Sequence, residues 1–241
     1  MRTSSKKIAI LQSNYIPWKG VFDMINKVDV FVFYEDVQFT RRDWRTRNKI
    51  KTANGLAWLT IPVKKISVDA KIFEVQIFND VGNKAFYKKH YNAILEHYSK
   101  APFLKQNKFL LDKIYLEKRW ENLSEFNIHT TKLISDFLGI KTEFINSKDL
   151  NLSGKKTDKL IAICQKLGAD CYLSGPSAKN YIEPNKFDAA GIELEYMRYD
   201  GYKQYQQLHG DFDDYVSVLD VILNCGDRAA EYIFSEKNDR I

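Results

Sequence analysis

Three times in the second half of the chain a helical stretch stops at a glycine and a short β-rich run follows within three residues. Leu138-Gly139 precedes Thr142-Glu143-Phe144-Ile145, Leu167-Gly168 precedes Cys171-Tyr172-Leu173-Ser174, and Gly191 precedes Ile192-Glu193-Leu194-Glu195-Tyr196. Glycine is the residue that most readily takes the left-handed conformation closing a helix. A helix between successive strands carries the chain back to the same end of a sheet, so the repeated step predicts a layered α/β fold with a mostly parallel sheet. The opening has the same grammar. Lys7-Ile8-Ala9-Ile10-Leu11 reads as a strand, Gln12 to Gly20 as a polar loop, Trp18 to Asn26 as a helix, and Val28 to Tyr34 as a second strand.

Further strands are expected at Trp58–Val63 and Ile72–Ile77. The middle is helical: Tyr87, Tyr91, Ile94, Leu95 and Tyr98 recur at helical spacing, Pro102 breaks the chain before Phe103–Tyr115, and Asn122-Leu123-Ser124-Glu125 resembles a capping box. Helix is expected again from about Phe212 to Glu231. The reading is a Rossmann-like α/β domain over residues 1–241 with a helical insertion near 83–137. With 241 residues the chain can bury a sizeable core, and 44% apolar against 28% charged residues excludes a disordered chain, a collagen or a coiled coil. No apolar run approaches the ~20 residues of a membrane span. The basic start, Met1 to Lys7, leads into an apolar stretch that stops at Leu11, too short for a signal peptide. Cys164, Cys171 and Cys225 are unclustered and read as reduced thiols, so a cytoplasmic location is expected. There is no CxxC, HExxH or DxDxDG pattern, so no metal site is expected, and no GxSxG elbow; no cofactor can be named.

Four segments carry candidate chemistry. The loop after the first strand holds Gln12, Asn14, Tyr15, Trp18 and Lys19, where ligands of open parallel sheets bind; its bland alternative is a structural loop with Trp18 packed on the core. The run Asp36 to Lys49 contains Asp36, Gln38, Arg42, Trp44, Arg45, Arg47 and Asn48. Such arginine density suits phosphates or carboxylates, against the alternative of a solvated charge run. The third segment offers Ser174, Gly175, Ser177 and Tyr181 where a strand ends and a helix can begin. The fourth holds Gln206 and His209, with Asp220 in the apolar stretch that follows. His209 is the candidate general base, Asp220 either its orienting carboxylate or a partner for an arginine, and Lys19 completes the catalytic candidates. The net charge of +6 suits phosphate-bearing ligands without demanding nucleic acid.

The string from Ile10 to Asp23 closely resembles the opening of the WbqC-like family. Asp36-Val37-Gln38-Phe39, Arg47 to Lys51, Tyr172 to Gly175, and Ser217 to Asp220 with Asn224 and Gly226 resemble further family blocks, in order along nearly the whole chain. Ser13 stands where the family has proline. The resemblance implies a bacterial protein encoded among genes for O-antigen or other surface polysaccharides and nucleotide sugars, without delivering a reaction. The implied partner is a phosphorylated or nucleotide-linked sugar, and the leading expectation is acyl or aminoacyl transfer to an amino sugar. The alternatives are a non-catalytic nucleotide-sugar-binding or complex-assembly protein and a nucleic-acid-binding protein. A fainter similarity is to nucleotide-binding folds with an HxGH motif. Trp18 and Val21 stand at the histidine places beside Gly20, so nucleotidyl transfer by that route is not expected.

Overall fold

A computed structural model describes residues 5–79 and 85–235. Met1 to Ser4 of the basic start, and residues 83 and 84 at the expected beginning of the helical insertion, lie outside the described residues. Five parallel strands form one sheet: β1 (Lys7–Leu11), β2 (Val30–Phe33), β5 (Glu143–Asn146), β6 (Cys171–Ser174) and β7 (Glu193–Tyr196), in spatial order β5-β2-β1-β6-β7. Helix α1 (Lys19–Asn26) returns the chain from β1 to β2, α5 (Lys156–Lys166) from β5 to β6, and the short α6 (Pro184–Ala189) from β6 to β7. The expected Rossmann-like layered fold is the one observed. Gly139, Gly168 and Gly191 each adopt a positive φ, +75°, +63° and +71°, just past the ends of the helices that precede β5, β6 and β7.

Alternation along the strands sorts the core into two layers. Val30 and Val32 face one side with Ile8, Ile10, Leu160, Ile163 and Phe187. Phe31 and Phe33 face the other with Phe22, Met24 and Ile25, and with Ile222 and its neighbours Val221 and Leu223. The second layer is thick, because the connection from β2 to β5 supplies a hairpin and three helices. The hairpin pairs β3 (Arg47–Thr52) antiparallel with β4 (Gly55–Thr60), and the helices are α2 (Phe86–His97), α3 (Leu104–Tyr115) and α4 (Leu123–Phe137). Asn122 caps α4, its side chain accepting from the Glu125 amide at 3.0 Å.

Two expectations need correction. Ile72–Ile77 is not a strand. Ile72–Glu74 closes a tight 3₁₀ turn in which the Lys71 amide donates to the Glu74 carboxylate at 2.7 Å, leaving only single bridges from Gln76 and Ile77. Nor is Phe212–Val218 helical. The Ser217 amide donates to the Lys49 carbonyl and the Val218 amide to the Pro17 carbonyl, so this segment spends its donors across the fold, and helix resumes only at α7 (Leu219–Cys225) and α8 (Ala230–Ile233). The expected strand Trp58–Val63 starts earlier and stops at Thr60, two residues before Pro62, which has no amide hydrogen to give a ladder.

The helical layer is pinned to the loop after β1 by a buried polar triad. The Tyr15 hydroxyl meets His90 Nδ1 at 2.7 Å and the Tyr115 hydroxyl at 2.6 Å. Burial holds the His90 imidazole down at about 4, opposed by its bond to the Thr60 backbone. A base depressed in this way contributes stability above its unfolded value near 6.5, and that stability is lost as pH falls toward 4. The drop corresponds to roughly 3 kcal/mol. Urea unfolding should therefore show stability falling between pH 6.5 and 4, and His90→Gln should flatten that part of the profile. Superimposable profiles would deny His90 this role.

Candidate functional site

The sheet changes direction of growth between β1 and β6. From β1 the chain moves outward to β2, and from β6 it moves the opposite way to β7. The loops leaving the two strands diverge there and open a crevice, the usual ligand position in open α/β sheets. A cavity of about 500 Å³ fills it. One wall is the loop after β1, with Asn14, Pro17 and Trp18. The other is Ser174, Gly175, Pro176 and Ser177, where the chain turns into a 3₁₀ helix over Pro176–Asn180. Trp44, Asn48, Tyr172, Tyr181, Tyr199 and Tyr215 complete the lining.

The loop after β1 is held by groups buried beneath it. Glu35, fully buried at the end of β2, accepts from the Ser13 amide at 2.8 Å and the Ser13 hydroxyl at 3.0 Å. Burial raises the Glu35 carboxyl above its ordinary range, opposed by hydrogen bonds from Ser124 and Ser13 and by the charge of Arg45. Arg45 in turn donates to Gln12 and Asp43. The Asn48 side-chain amide donates to the Ile16 carbonyl at 2.7 Å and the Tyr15 carbonyl at 3.2 Å. Ile16 is thereby fixed at φ +33°, a costly conformation for a β-branched residue and of a kind that clusters at binding sites. Asn14 Oδ1 is buried and has no hydrogen-bond partner among the described residues, although its residue faces the cavity.

Among the described residues, none that lines the cavity carries a charged side chain, a histidine or a cysteine. The polar groups are amides and hydroxyls, and burial pushes the Tyr172, Tyr181 and Tyr199 hydroxyls upward, so they act as neutral hydrogen-bonding groups. Trp18 packs edge-on to Tyr199 at 4.8 Å and against Tyr215 at 5.4 Å. Trp44, Tyr181 and Tyr215 are each well exposed, offering ring faces to an incoming group. Such a lining takes an uncharged flat group by stacking and fixes it by a few hydrogen bonds.

The WbqC-like protein family matches residues 12–232, from the loop after β1 to α8. The chain belongs to the WbqC-like family. An uncharacterized protein of Mycobacterium tuberculosis, Rv1507c, is 43% identical over 229 residues, 95% of this chain and 97% of that protein. No solved structure matches the chain. The family's matched span contains every polar residue of the cavity.

Among the residues singled out in the sequence of this WbqC-like chain, Asn14, Trp18, Trp44, Asn48, Ser174, Gly175, Ser177 and Tyr181 meet around the cavity. Gln12, Tyr15 and Arg45 lie behind it in the networks above. Asp36 accepts from Ser147 at 2.6 Å and pairs with Lys159, and Gln38 donates to the Val68 carbonyl, so both tie loops together. Arg42 and Arg47 line a separate hollow, and Gln206 is exposed, lining neither. The three catalytic candidates are not brought together. His209 Nε2 donates to the His97 carbonyl at 2.8 Å. Asp220 is fully buried and accepts from the hydroxyls of Tyr98 and Tyr205, each at 2.7 Å, because an unpaired carboxylate there would be costly. Lys19 pairs with Asp214 at 2.6 Å and sits over the Tyr202 ring. Tyr199 and Tyr215 escaped the sequence reading; the excess of tyrosine, 14 residues, was the one trace of them.

Gly20 explains the Trp18-Lys19-Gly20 spacing. A Cβ there would run into the Trp18 indole, whereas one on Gly175 would meet nothing within 4 Å. Gly20→Ala should cost about 1–3 kcal/mol in urea unfolding, as overpacking does, and disturb the cavity wall. Gly175→Ala should stay within about 0.5 kcal/mol of wild type. Equal losses would mean that Trp18 yields freely.

Proposed function

We propose that this protein binds a nucleotide-linked sugar in surface-polysaccharide biosynthesis, the setting that its family membership suggests. The observation that carries the reading is the uncharged, aromatic-lined cavity at the switch point between β1 and β6. Its size suits one ring of such a ligand and its immediate substituents. In this reading Trp44, Tyr181 and Tyr215 stack on the ring, and Asn14 Oδ1 accepts from a ligand N–H or O–H. Ser174 and Ser177 face the group where it leaves the cavity. Acyl or aminoacyl transfer to an amino sugar fits the lining as catalysis by positioning, since none of the described residues around the cavity is a histidine, lysine, aspartate or glutamate. His209, Asp220 and Lys19 then act on the fold rather than on the ligand.

Calorimetric titration and thermal shift with UDP-, GDP- and dTDP-linked amino sugars test this. A ligand present at 100 times its Kd stabilises the folded chain by about 2.7 kcal/mol. Trp44→Ala and Asn14→Ala should each weaken the bound sugar nucleotide by roughly five- to tenfold, the loss of a stacking or hydrogen-bonding partner. His209→Ala should leave affinity at the wild-type value. Absence of binding across the whole set, or a loss on His209→Ala equal to that on Trp44→Ala, would overturn the reading.

A further inference from the structure

A second hollow, of about 580 Å³, lies between the loop that leads into β3 and the segment that follows β4. Arg41, Arg42, Arg47, Lys64 and Lys65 surround it, over a floor that includes Phe39 and Ile61. Among the described residues no carboxylate lines it, and none of these five cations forms an ion pair. Elsewhere Lys7, Lys19 and Lys159 are each paired with a carboxylate, and Asp43, the acid next to Arg42 in sequence, is engaged by Arg45. Five like charges in one concavity repel one another, so the counter-charge must come from solution.

The walls are fixed. The Ile61 amide donates to the Thr46 carbonyl at 2.7 Å, the Phe78 amide to Pro62 at 2.8 Å, and the Lys64 amide to Gln76 at 2.9 Å. Arg42 is held at φ +56°, a conformation few arginines adopt, and Arg41 Nη2 donates to the Ile66 carbonyl at 2.9 Å. Arg47 stacks on the Trp58 ring at 4.4 Å, and Trp58 lies 5.5 Å from Trp44 of the aromatic cavity. A run of three contacting side chains, Arg47, Trp58 and Trp44, thus connects the two hollows.

We infer that this hollow is a second binding site, for a ligand that carries a diphosphate. Guanidinium forks match phosphate oxygens bidentately, and the lysines add point charges. A single carboxylate would leave most of the five charges unanswered. The hollow is also larger than a bare diphosphate, leaving room for the start of the group attached to it. Its concave form between two chain segments favours a compact anion over a nucleic-acid backbone, which is followed by an extended groove. The inference stands on the charges of this hollow alone and does not need the reading of the aromatic cavity.

Titration with inorganic pyrophosphate at low ionic strength tests it. Binding of one pyrophosphate per chain is expected, with orthophosphate about tenfold weaker or more. Arg42→Ala, and separately Lys64→Ala with Lys65→Ala, should weaken pyrophosphate about tenfold or more, the size of a lost charged hydrogen bond. The melting temperatures of the ligand-free variants should match wild type. Asn14→Ala and Ser177→Ala should bind pyrophosphate as wild type does. Competition by UDP or by farnesyl diphosphate would tell whether a nucleoside or a lipid carries the diphosphate. Three outcomes overturn the proposal: no binding, affinity unchanged in the arginine and lysine variants, or affinity lost in Asn14→Ala instead. Displacement of pyrophosphate by a single-stranded oligonucleotide at a hundredfold lower phosphate concentration would also overturn it, in favour of a nucleic-acid interface.

Discussion

One buried carboxylate ties the loop after β1, which forms one wall of the cavity, to three other pieces of chain. Glu35 leaves the end of β2, takes both hydrogen-bonding groups of Ser13 from the loop after β1, and faces Arg45 of the basic loop and Ser124 of α4. Its own amide donates to Ser147 beyond β5. A charge in such a place is tolerated only with partners on every side, and removing one of them leaves the others with an uncompensated group. The geometry of the cavity follows from this arrangement. Ser13 and Gln12 are fixed from below, so Asn14 and Trp18 project from a loop that has little freedom to relax.

Asp220 does the same for the other side. Its oxygens are taken by Tyr98, at the end of α2, and Tyr205 of the segment after β7, while Lys51 of β3 reaches Gln207 and the Asp211 carbonyl. Burial raises the Asp220 carboxyl, and the two tyrosine hydroxyls oppose that rise. The buried carboxylates Glu35 and Asp220 thus serve the joints between layers, and no described residue that lines the cavity carries a charged side chain. In the proposed reading, ligand discrimination there rests on shape, stacking and a few hydrogen bonds, which suits the recognition of neutral rings.

The parallel sheet was legible because its signals are local. Glycine at 139, 168 and 191 stops a helix wherever it stands, and the apolar runs at Lys7–Leu11 and Val28–Tyr34 need burial on both faces. The hairpin was half legible. Trp58 to Thr60 read as a strand, but its partner β3 begins at Arg47 within a run of cations that sequence pattern assigns to loop or surface. Segments whose form depends on distant partners were not legible. Phe212–Val218 has a composition that permits helix, but the amides of Asp213 and Tyr215 donate to the side chains of Gln207 and Asp213, and those of Ser217 and Val218 to the Lys49 and Pro17 carbonyls. The site divides in the same way. The loops after β1 and β6 follow from the order of strands, so Asn14, Trp18, Ser174 and Ser177 could be named. The burial of Arg45, and the separation of Arg42 and Arg47 from the cavity, depend on which way a loop turns, and no spacing rule encodes that.

The sheet joins β1 to β6, with Lys7 beside Cys171, so two neighbouring strands at its centre are separated by most of the chain's length. Pairings of that span are entropically late steps in folding. During synthesis β1, α1 and β2 can associate while most of the chain is still unmade, yet they enclose nothing. The far wall of the cavity needs Ser174 to Tyr181, then Tyr199 and Tyr215, among the later segments to leave the ribosome. The crevice is therefore complete only once the chain from β1 through Tyr215 has been made. A nascent or truncated molecule can carry the whole family opening, Gln12 to Gly20, and still have no place for a ligand to rest.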